Sequence, residues 1–262
     1  MRIALTIAGS DSGGGAGIQA DLKTFQRFGV FGTSAITAIT AQNTRGVSRW
    51  EPVSVDLVRA QIESVCEDLP PSAFKTGMLA TAAITSAVAA AIEAHSLANY
   101  VLDPVMVATS GDVLVERDAI DAIRTQLMPK AFLVTPNVPE AEILIGEKIT
   151  DEDGMARAAE KIASELGAQA VLLKGAHLST GNRVIDVLFD GDIRTFRGQR
   201  IETTSTHGTG CTLSAAITAR LAKGESLHAA VRRSIQYVQN AIATAPGLGS
   251  GNGPLNHLAE DG

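Results

Sequence analysis

Short apolar runs separated by longer amphipathic stretches constrain the fold of this chain more than any other feature. Residues 2–8, 32–40, 73–78, 99–105, 131–135 and 169–174 are near-continuously apolar and rich in Val, Ile and Leu. Strands read this way when helices cover both of their faces, as in a parallel sheet. Helical patterns fill the intervals, over residues 16–28, 55–69, 81–95, 117–127 and 152–166. The alternation predicts an α/β fold with a central, mostly parallel β-sheet flanked by helices on both faces. Beyond Lys174 the rhythm changes: residues 184–189 and 193–196 flank Asp190-Gly191, the signature of a hairpin with a tight turn. Two helices follow, at residues 210–223 and 226–244. No repeat, linker or compositional shift divides residues 1–262, so a single domain is expected.

Composition narrows the partners. An apolar fraction of 45% with 19% charged residues suits a globular chain, and a formal net charge of -6 without a Lys/Arg cluster argues against nucleic acid or a membrane surface. No run approaches the roughly 18 apolar residues of a membrane-spanning helix, and residues 1–8 are too short an apolar run for a signal peptide. Two cysteines, Cys66 and Cys211, cannot build a disulfide framework, so a reducing, cytoplasmic setting is expected. Cys66 falls at helical spacing with Val58, Ile62, Val65 and Leu69, which reads as core packing.

In an open α/β sheet, ligands bind beyond the carboxyl ends of the strands. The glycines and polar residues gather there: Gly9 to Gly17 after the first strand, Gln42-Asn43-Thr44 after the second, Asp103-Pro104 closing the fourth, and Thr135-Pro136-Asn137-Val138-Pro139-Glu140 closing the fifth. Gly15-x-Gly17-x-x-Ala20 loosely fits a dinucleotide fingerprint, but residues 33–50 lack the Asp or Glu that would hold a ribose hydroxyl. No Gly-Lys-Ser/Thr occurs, which removes the P-loop reading. Thr206-His207-Gly208-Thr209-Gly210-Cys211-Thr212 precedes a late helix. Backbone N–H groups converging at that helix start suit an anion or a phosphoryl group in transit; a plain glycine-rich turn with a Thr cap fits the spacing equally well.

Several longer blocks go further. Residues 7–24 (Ile7-Ala8-Gly9-Ser10-Asp11-Ser12 through Asp21-Leu22-Lys23-Thr24), Thr40-Ala41-Gln42-Asn43-Thr44, Lys75-Thr76-Gly77-Met78-Leu79, Leu102-Asp103-Pro104-Val105-Met106-Val107 on to Ser110-Gly111, residues 135–142, Leu173-Lys174-Gly175 with His177, and residues 206–213 occur in this order over essentially the whole chain. Together they resemble the hydroxymethylpyrimidine/phosphomethylpyrimidine kinases, the thiamine-biosynthesis family of the ribokinase-like superfamily. The resemblance implies a ribokinase-like fold with the site along one sheet edge, and ATP with Mg²⁺ as the donor. It also implies two successive phosphorylations at one site, of 4-amino-5-hydroxymethyl-2-methylpyrimidine and then of its monophosphate. Members of the family are commonly homodimers.

Residue roles follow from the matched blocks. A Gln42 side-chain amide offers a donor and an acceptor to an aminopyrimidine; its bland alternative is a solvated loop residue. The resemblance adds backbone near Ala16 and Thr40, with Met78 and Val105 as apolar walls, although Met78 could equally be core. It places Asn137, Glu140, Lys174 and Thr206 near ATP, and Asp103 and Glu140 near Mg²⁺, which prefers oxygen ligands and keeps several waters. Asn137-x-x-Glu140 would also serve as an ordinary helix cap. Lys174 is expected to clamp the transferred charge, with Gly208, Thr209 and Gly210 forming an anion hole. Related sugar kinases carry Asp as the base where this chain has Cys211. A thiol at a helix N-terminus can have its pKa lowered, so Cys211 is expected as the base, or else as a small residue shaping the hole. One departure concerns the tail, where Asn252 stands in place of the family's usual His while His257 is retained. A pyridoxal or pyridoxine kinase is the nearest rival. A non-catalytic ligand-binding regulator is disfavoured, because Lys174, Asn137, Glu140 and residues 208–211 are all intact.

Overall fold

Nine strands among the described residues hydrogen-bond into one sheet. They are β1 (Ile3–Ser10), β2 (Phe31–Asn43), β3 (Gly46–Pro52), β4 (Ala73–Thr76), β5 (Tyr100–Leu102), β6 (Leu133–Val134), β7 (Val171–Leu173), β8 (Arg183–Phe189) and β9 (Ile193–Gln199). The helices are α1 (Gly17–Arg27), α2 (Val55–Asp68), α3 (Ala82–Ala94), α4 (Arg117–Ala122), α5 (Val138–Ile145), α6 (Glu152–Leu166), α7 (Thr209–Ala222) and α8 (Leu227–Ala243). The structure, a computed structural model, describes residues 1–106, 117–178 and 181–261; Val107 and the Ser110-Gly111 block lie outside them.

The strand order is β3-β2-β1-β4-β5-β6-β7-β8-β9. Strands β2, β1, β4, β5, β6 and β7 run parallel, and antiparallel pairs close both ends. Successive side chains point to opposite faces, so each buried strand feeds two cores. Leu5, Ile7, Phe74, Leu102, Val134 and Leu173 join Val58, Ile62, Val88, Leu144 and Ile162 of α2, α3, α5 and α6. Ala4, Ala73, Val101, Leu133 and Leu172 join Phe25, Leu213, Ile217, Val231 and Tyr237 of α1, α7 and α8. Fully burying each large aliphatic side chain contributes about 1.5–3 kcal/mol, which is what holds helices on both faces. Cys66 packs against the first of these cores, as its spacing predicts.

Four local features depart from the sequence reading. Strand β2 continues to Asn43 and doubles back as β3, so Gln42 is a strand residue and not a loop residue. Residues 46–52 are too polar to advertise a strand; β3 is an exposed edge whose stability comes from pairing with β2. The short helix α5 starts at the Asn137 cap. The helix expected over residues 117–127 ends at Ala122 and relaxes through a π turn and a 3₁₀ turn (Met128–Lys130), where Pro129 cannot donate to a continuing ladder. The β8–β9 hairpin closes with three residues, 190–192, because Phe189 pairs with Ile193.

From β1 the chain crosses to β2 on one side, then returns to β4 on the other. The carboxyl ends of β1 and β4 therefore flank a switch point, where the crossovers leave a crevice. Among the described residues no helix is long and apolar enough to cross a membrane.

Candidate active site

A cleft of about 670 Å³ opens along this edge, and every site residue expected from the sequence lines it. Its floor is built on Asp11. One Asp11 carboxylate oxygen accepts from Gly13 N–H (2.8 Å), and the other from Gly15 N–H (3.0 Å), Ala16 N–H (2.8 Å) and the His207 ring (2.8 Å). Burial works against the charge, but the His207 and backbone hydrogen bonds prevail and hold the Asp11 pKa below its ordinary value. Asp11 thus organises the first glycine loop from inside.

At one end of the cleft stand Thr40, Gln42, Met78 and Val105. A register shift in the β2–β3 ladder pairs Gln42 with Val47 while Ala41 pairs with Arg49, leaving Ser48 as the extra residue of a bulge. Thr40 Oγ1 donates to Ser10 O at 2.8 Å. Met78 and Val105 form a small apolar cluster with Ala38 and Trp50, so Met78 is both core and wall. Ala16 lines the cleft, but its N–H is engaged by Asp11 and its C=O by Ala20 N–H. Its backbone is thus already engaged where it borders the cleft.

The centre is the start of α7. Gly208 caps the helix at φ 80°, and a Cβ there would lie 1.9 Å from Gly15 O. Glycine at 208 is thus required both by backbone conformation and by the approach of the two glycine loops. Thr209 Oγ1 donates to Thr206 O at 2.7 Å. Within the described residues no hydrogen bond engages the N–H of Gly210 or Cys211, leaving two donors at the positive end of the helix dipole.

Lys174 Nζ lies 3.1 Å from Asp103 Oδ1 beside Gly210. Asp103 is buried and also accepts from Thr135 (3.2 Å) and Ser214 (3.2 Å). Burial opposes the Asp103 charge, yet Lys174 and Lys75 bring its pKa below the ordinary value; burial likewise opposes the Lys174 charge, and Asp103 and Glu140 hold its pKa raised. Asn137 and Glu140 form a capping box on α5, each side chain taking the other's backbone N–H at 2.8 Å. Burial pushes Glu140 up to about 7, with Lys174 as the main opposing influence. The cap reading of this motif is met, and the same geometry leaves both residues lining the cleft.

Cys211 sits in the first turn of α7, but the expected lowering of its pKa does not occur. Burial pushes the thiol up to about 12, outweighing the nearby Lys75 ammonium and the Gly17 N–H. Beneath it lies a pair that no sequence pattern announces. Lys75 Nζ and Asp21 Oδ1 are 2.9 Å apart, both side chains 0% exposed, and Thr6 Oγ1 donates to the second Asp21 oxygen at 2.6 Å.

Asp11, His207 and Asp186 also line the cleft, beyond the residues expected from the sequence, while Asp21 and Lys75 lie fully buried behind it. Asp11, Asp21, Lys75 and His207 fall within the matched blocks, so a signal is present there without a role attached. Asp186 has none: it follows Val184 and Ile185 in β8, accepts from Gly175 N–H at 3.0 Å, and burial pushes its pKa up to about 6. At the far end, Ile235, Val238 and Ile242 of α8 make an apolar wall that sequence periodicity alone presents as core. The tail reaches the site through main chain, with Asn252 N–H on Thr44 O (2.7 Å) and His207 N–H on Gly253 O (3.0 Å). The side chain at position 252 is not what makes these contacts.

A family model described as phosphomethylpyrimidine kinase matches residues 11–256. The hydroxymethylpyrimidine/phosphomethylpyrimidine kinase of Rhizobium meliloti (strain 1021) is 53% identical over 98% of this chain and 97% of its own. Among solved structures, an ADP complex of Bacillus subtilis pyridoxal kinase superposes with a TM-score of 0.91 at 41% identity, covering 99% of this chain and 98% of the other. The pyridoxal kinase of Staphylococcus aureus in complex with AMP-PCP and pyridoxal gives 0.90 at 35% identity, covering 99% and 94%. Matched by that model over residues 11–256 and by a relative 53% identical over nearly its whole length, this chain belongs to the phosphomethylpyrimidine kinase family.

Proposed function

We propose that the protein transfers the γ-phosphoryl group of ATP to the hydroxymethyl group of 4-amino-5-hydroxymethyl-2-methylpyrimidine, and then a second phosphoryl group to the resulting monophosphate. The observation that carries this reading is the layout of one cleft. A side-chain amide and apolar walls stand at one end, unpaired helix-start donors with Lys174 at the centre, and an apolar α8 wall at the other. Phosphoryl transfer asks for positioning and charge stabilisation more than for covalent chemistry. Gln42 and Thr40 would orient the ring, and Met78 and Val105 would cover it. The N–H groups of Gly210 and Cys211, with Lys174, would receive the charge in transit, while Asn137 and Thr206 flank the nucleotide.

A divalent cation suits this donor set. The Glu140 carboxylate is buried and lacks a partner strong enough to hold its charge at the ordinary pKa, whereas Asp103 is already occupied by Lys174, Thr135 and Ser214. Magnesium would therefore be held chiefly through Glu140, directly or by water, with Asp103 contributing its charge; bound there it would neutralise phosphate oxygens. Of the two roles open to Cys211, taking the alcohol's proton or shaping the hole, its raised pKa favours the second. A homodimer is consistent with exposed Ile39 on β2 and Leu57 on α2, and light scattering in solution reads it.

Mixing the protein with ATP, Mg²⁺ and each candidate alcohol, then measuring ADP, tests the reading. The aminopyrimidine alcohol should be turned over with the highest kcat/KM. Pyridoxal is the second substrate worth including, because two superposable relatives are pyridoxal kinases. ADP formed with pyridoxal alone would replace the pyrimidine reading.

A further inference from the structure

His207 Nε2 lies 2.8 Å from Asp11 Oδ2 and 3.3 Å from the position assigned to Gln42 Nε2, with the position assigned to Gln42 Oε1 facing Thr40 Oγ1, and both His207 and Asp11 are buried. A ring nitrogen carries at most one hydrogen, so these contacts can be sorted by elimination. The Asp11 carboxylate already accepts three backbone N–H bonds, and those bonds favour its ionised, acceptor-only form. The hydrogen between Asp11 and His207 therefore resides on Nε2. That hydrogen is spent on Asp11 and a protonated Nε2 has no lone pair to accept with, so an amide N–H 3.3 Å away would oppose the Nε2–H dipole, and the Gln42 group that suits this position is the carbonyl oxygen. The two ends of an amide have nearly the same shape, and the hydrogen-bond network decides between them. The other neighbour of the amide agrees. Thr40 Oγ1 gives its hydrogen to Ser10 O at 2.8 Å and stands 3.2 Å from the Gln42 amide, so it has only lone pairs to offer an amide N–H.

We infer that His207, held by Asp11, is the positioning residue that fixes which way the Gln42 amide faces, and through it the hydrogen-bond pattern the cleft presents to a heterocycle. With the carbonyl toward His207 and one N–H on Thr40, the remaining N–H and the remaining carbonyl lone pair face the cleft. That pair suits a ring edge carrying an acceptor nitrogen beside an amino donor. A half-turn of the amide would set like groups against each other. The inference deepens the proposed function and rests on Gln42 contacting the pyrimidine.

Two measurements test it. Nitrogen-15 correlation spectra of the free protein read the tautomer without any substrate. Hydrogen on His207 Nε2 is expected, and a bare Nε2 overturns the inference. Steady-state kinetics of His207→Leu, His207→Gln, Gln42→Ala and the His207→Leu/Gln42→Ala pair read the consequence. His207→Leu should raise KM for the aminopyrimidine about 10- to 100-fold, the range of an imperfectly paired buried polar group, with KM for ATP within about 2-fold. His207→Gln, which keeps an N–H donor, should recover most of the loss. In the Gln42→Ala background, His207→Leu should add nothing further; independent, multiplying effects would overturn the inference. If His207→Leu fails to fold, the kinetics of His207→Gln and the spectra of the wild type decide the matter. A wild type that binds no aminopyrimidine sinks the functional reading, while the spectra still decide whether Asp11 and His207 set the amide.

Discussion

Gly210 separates a phosphoryl-transfer centre from an ordinary helix start. A Cβ at this position would stand 3.0 Å from Lys174 Nζ and 3.8 Å from Asp103 Oδ2. Ordinary contacts between such atoms fall near 3.5 Å or beyond, so Gly210→Ala must displace the ammonium by roughly half an ångström. Gly210→Val adds two methyl groups and displaces it by an ångström or more, stretching the 3.1 Å contact with Asp103 past hydrogen-bonding range. Misplacing a reacting or charge-stabilising group by about 1 Å costs on the order of 100-fold in rate. The backbone has no corresponding objection, since Gly210 lies in the first turn of α7 and a helical Gly→Ala change gains up to about 1 kcal/mol. Gly210→Ala should therefore lower kcat about 10-fold with an unchanged or higher Tm, and Gly210→Val should lower it about 100-fold or more while still folding. Coupled ADP release alongside thermal melts measures both. A folded Gly210→Val protein with wild-type kcat would show that residues 208–211 are only a turn.

With its thiol held protonated by burial, Cys211 shapes the hole, so Cys211→Ala should lower both phosphorylations by a similar factor; a loss of about 10²–10⁴-fold confined to the alcohol step would make the thiol the base, because the monophosphate is already ionised with a second pKa near 6. Equal losses in separate assays of the two steps would assign Cys211 to shaping the hole. Asp21→Asn strands the fully buried Lys75 ammonium and should cost about 3–5 kcal/mol in denaturant unfolding; a change under about 1 kcal/mol would mean the pair is not dry. Burial holds His257 down to about 4 from 6.5, so between those values the unfolded chain binds the extra proton and stability must fall as pH drops. Over that window His257→Gln should lose less stability than wild type, by up to about 3 kcal/mol; superimposable pH profiles would refute the buried neutral imidazole.

Sequence periodicity was clearest for the strands whose burial is two-sided. Strands β1, β4, β5 and β7 are short and buried on both faces, as strands of a covered parallel sheet are. Strand β3 escaped because its register comes from β2 rather than from its own residues, and with it went the correct setting of Gln42. The residues Gln42, Lys174, Asp103 and Glu140 were legible from their motif blocks, and the fold brings all four to one cleft. What could not be read was long-range pairing. Asp11 with His207 and Asp21 with Lys75 join residues far apart in the chain, and no local pattern reports such a contact. The pKa of Cys211 failed for a related reason: the helix start was visible in the sequence, whereas the burial that overrides it was not.

Phosphorus-31 spectra of a reaction containing the protein, ATP, Mg²⁺ and 4-amino-5-hydroxymethyl-2-methylpyrimidine test the central claim most directly. The account predicts one new phosphomonoester resonance, followed by its replacement with the paired, mutually coupled resonances of a diphosphate ester. Consumption should reach two ATP per pyrimidine, and Gln42→Ala should slow both stages by weakening the pyrimidine but not ATP. An unchanged alcohol in the presence of active, folded protein, or pyridoxal phosphorylated in its place, would contradict it.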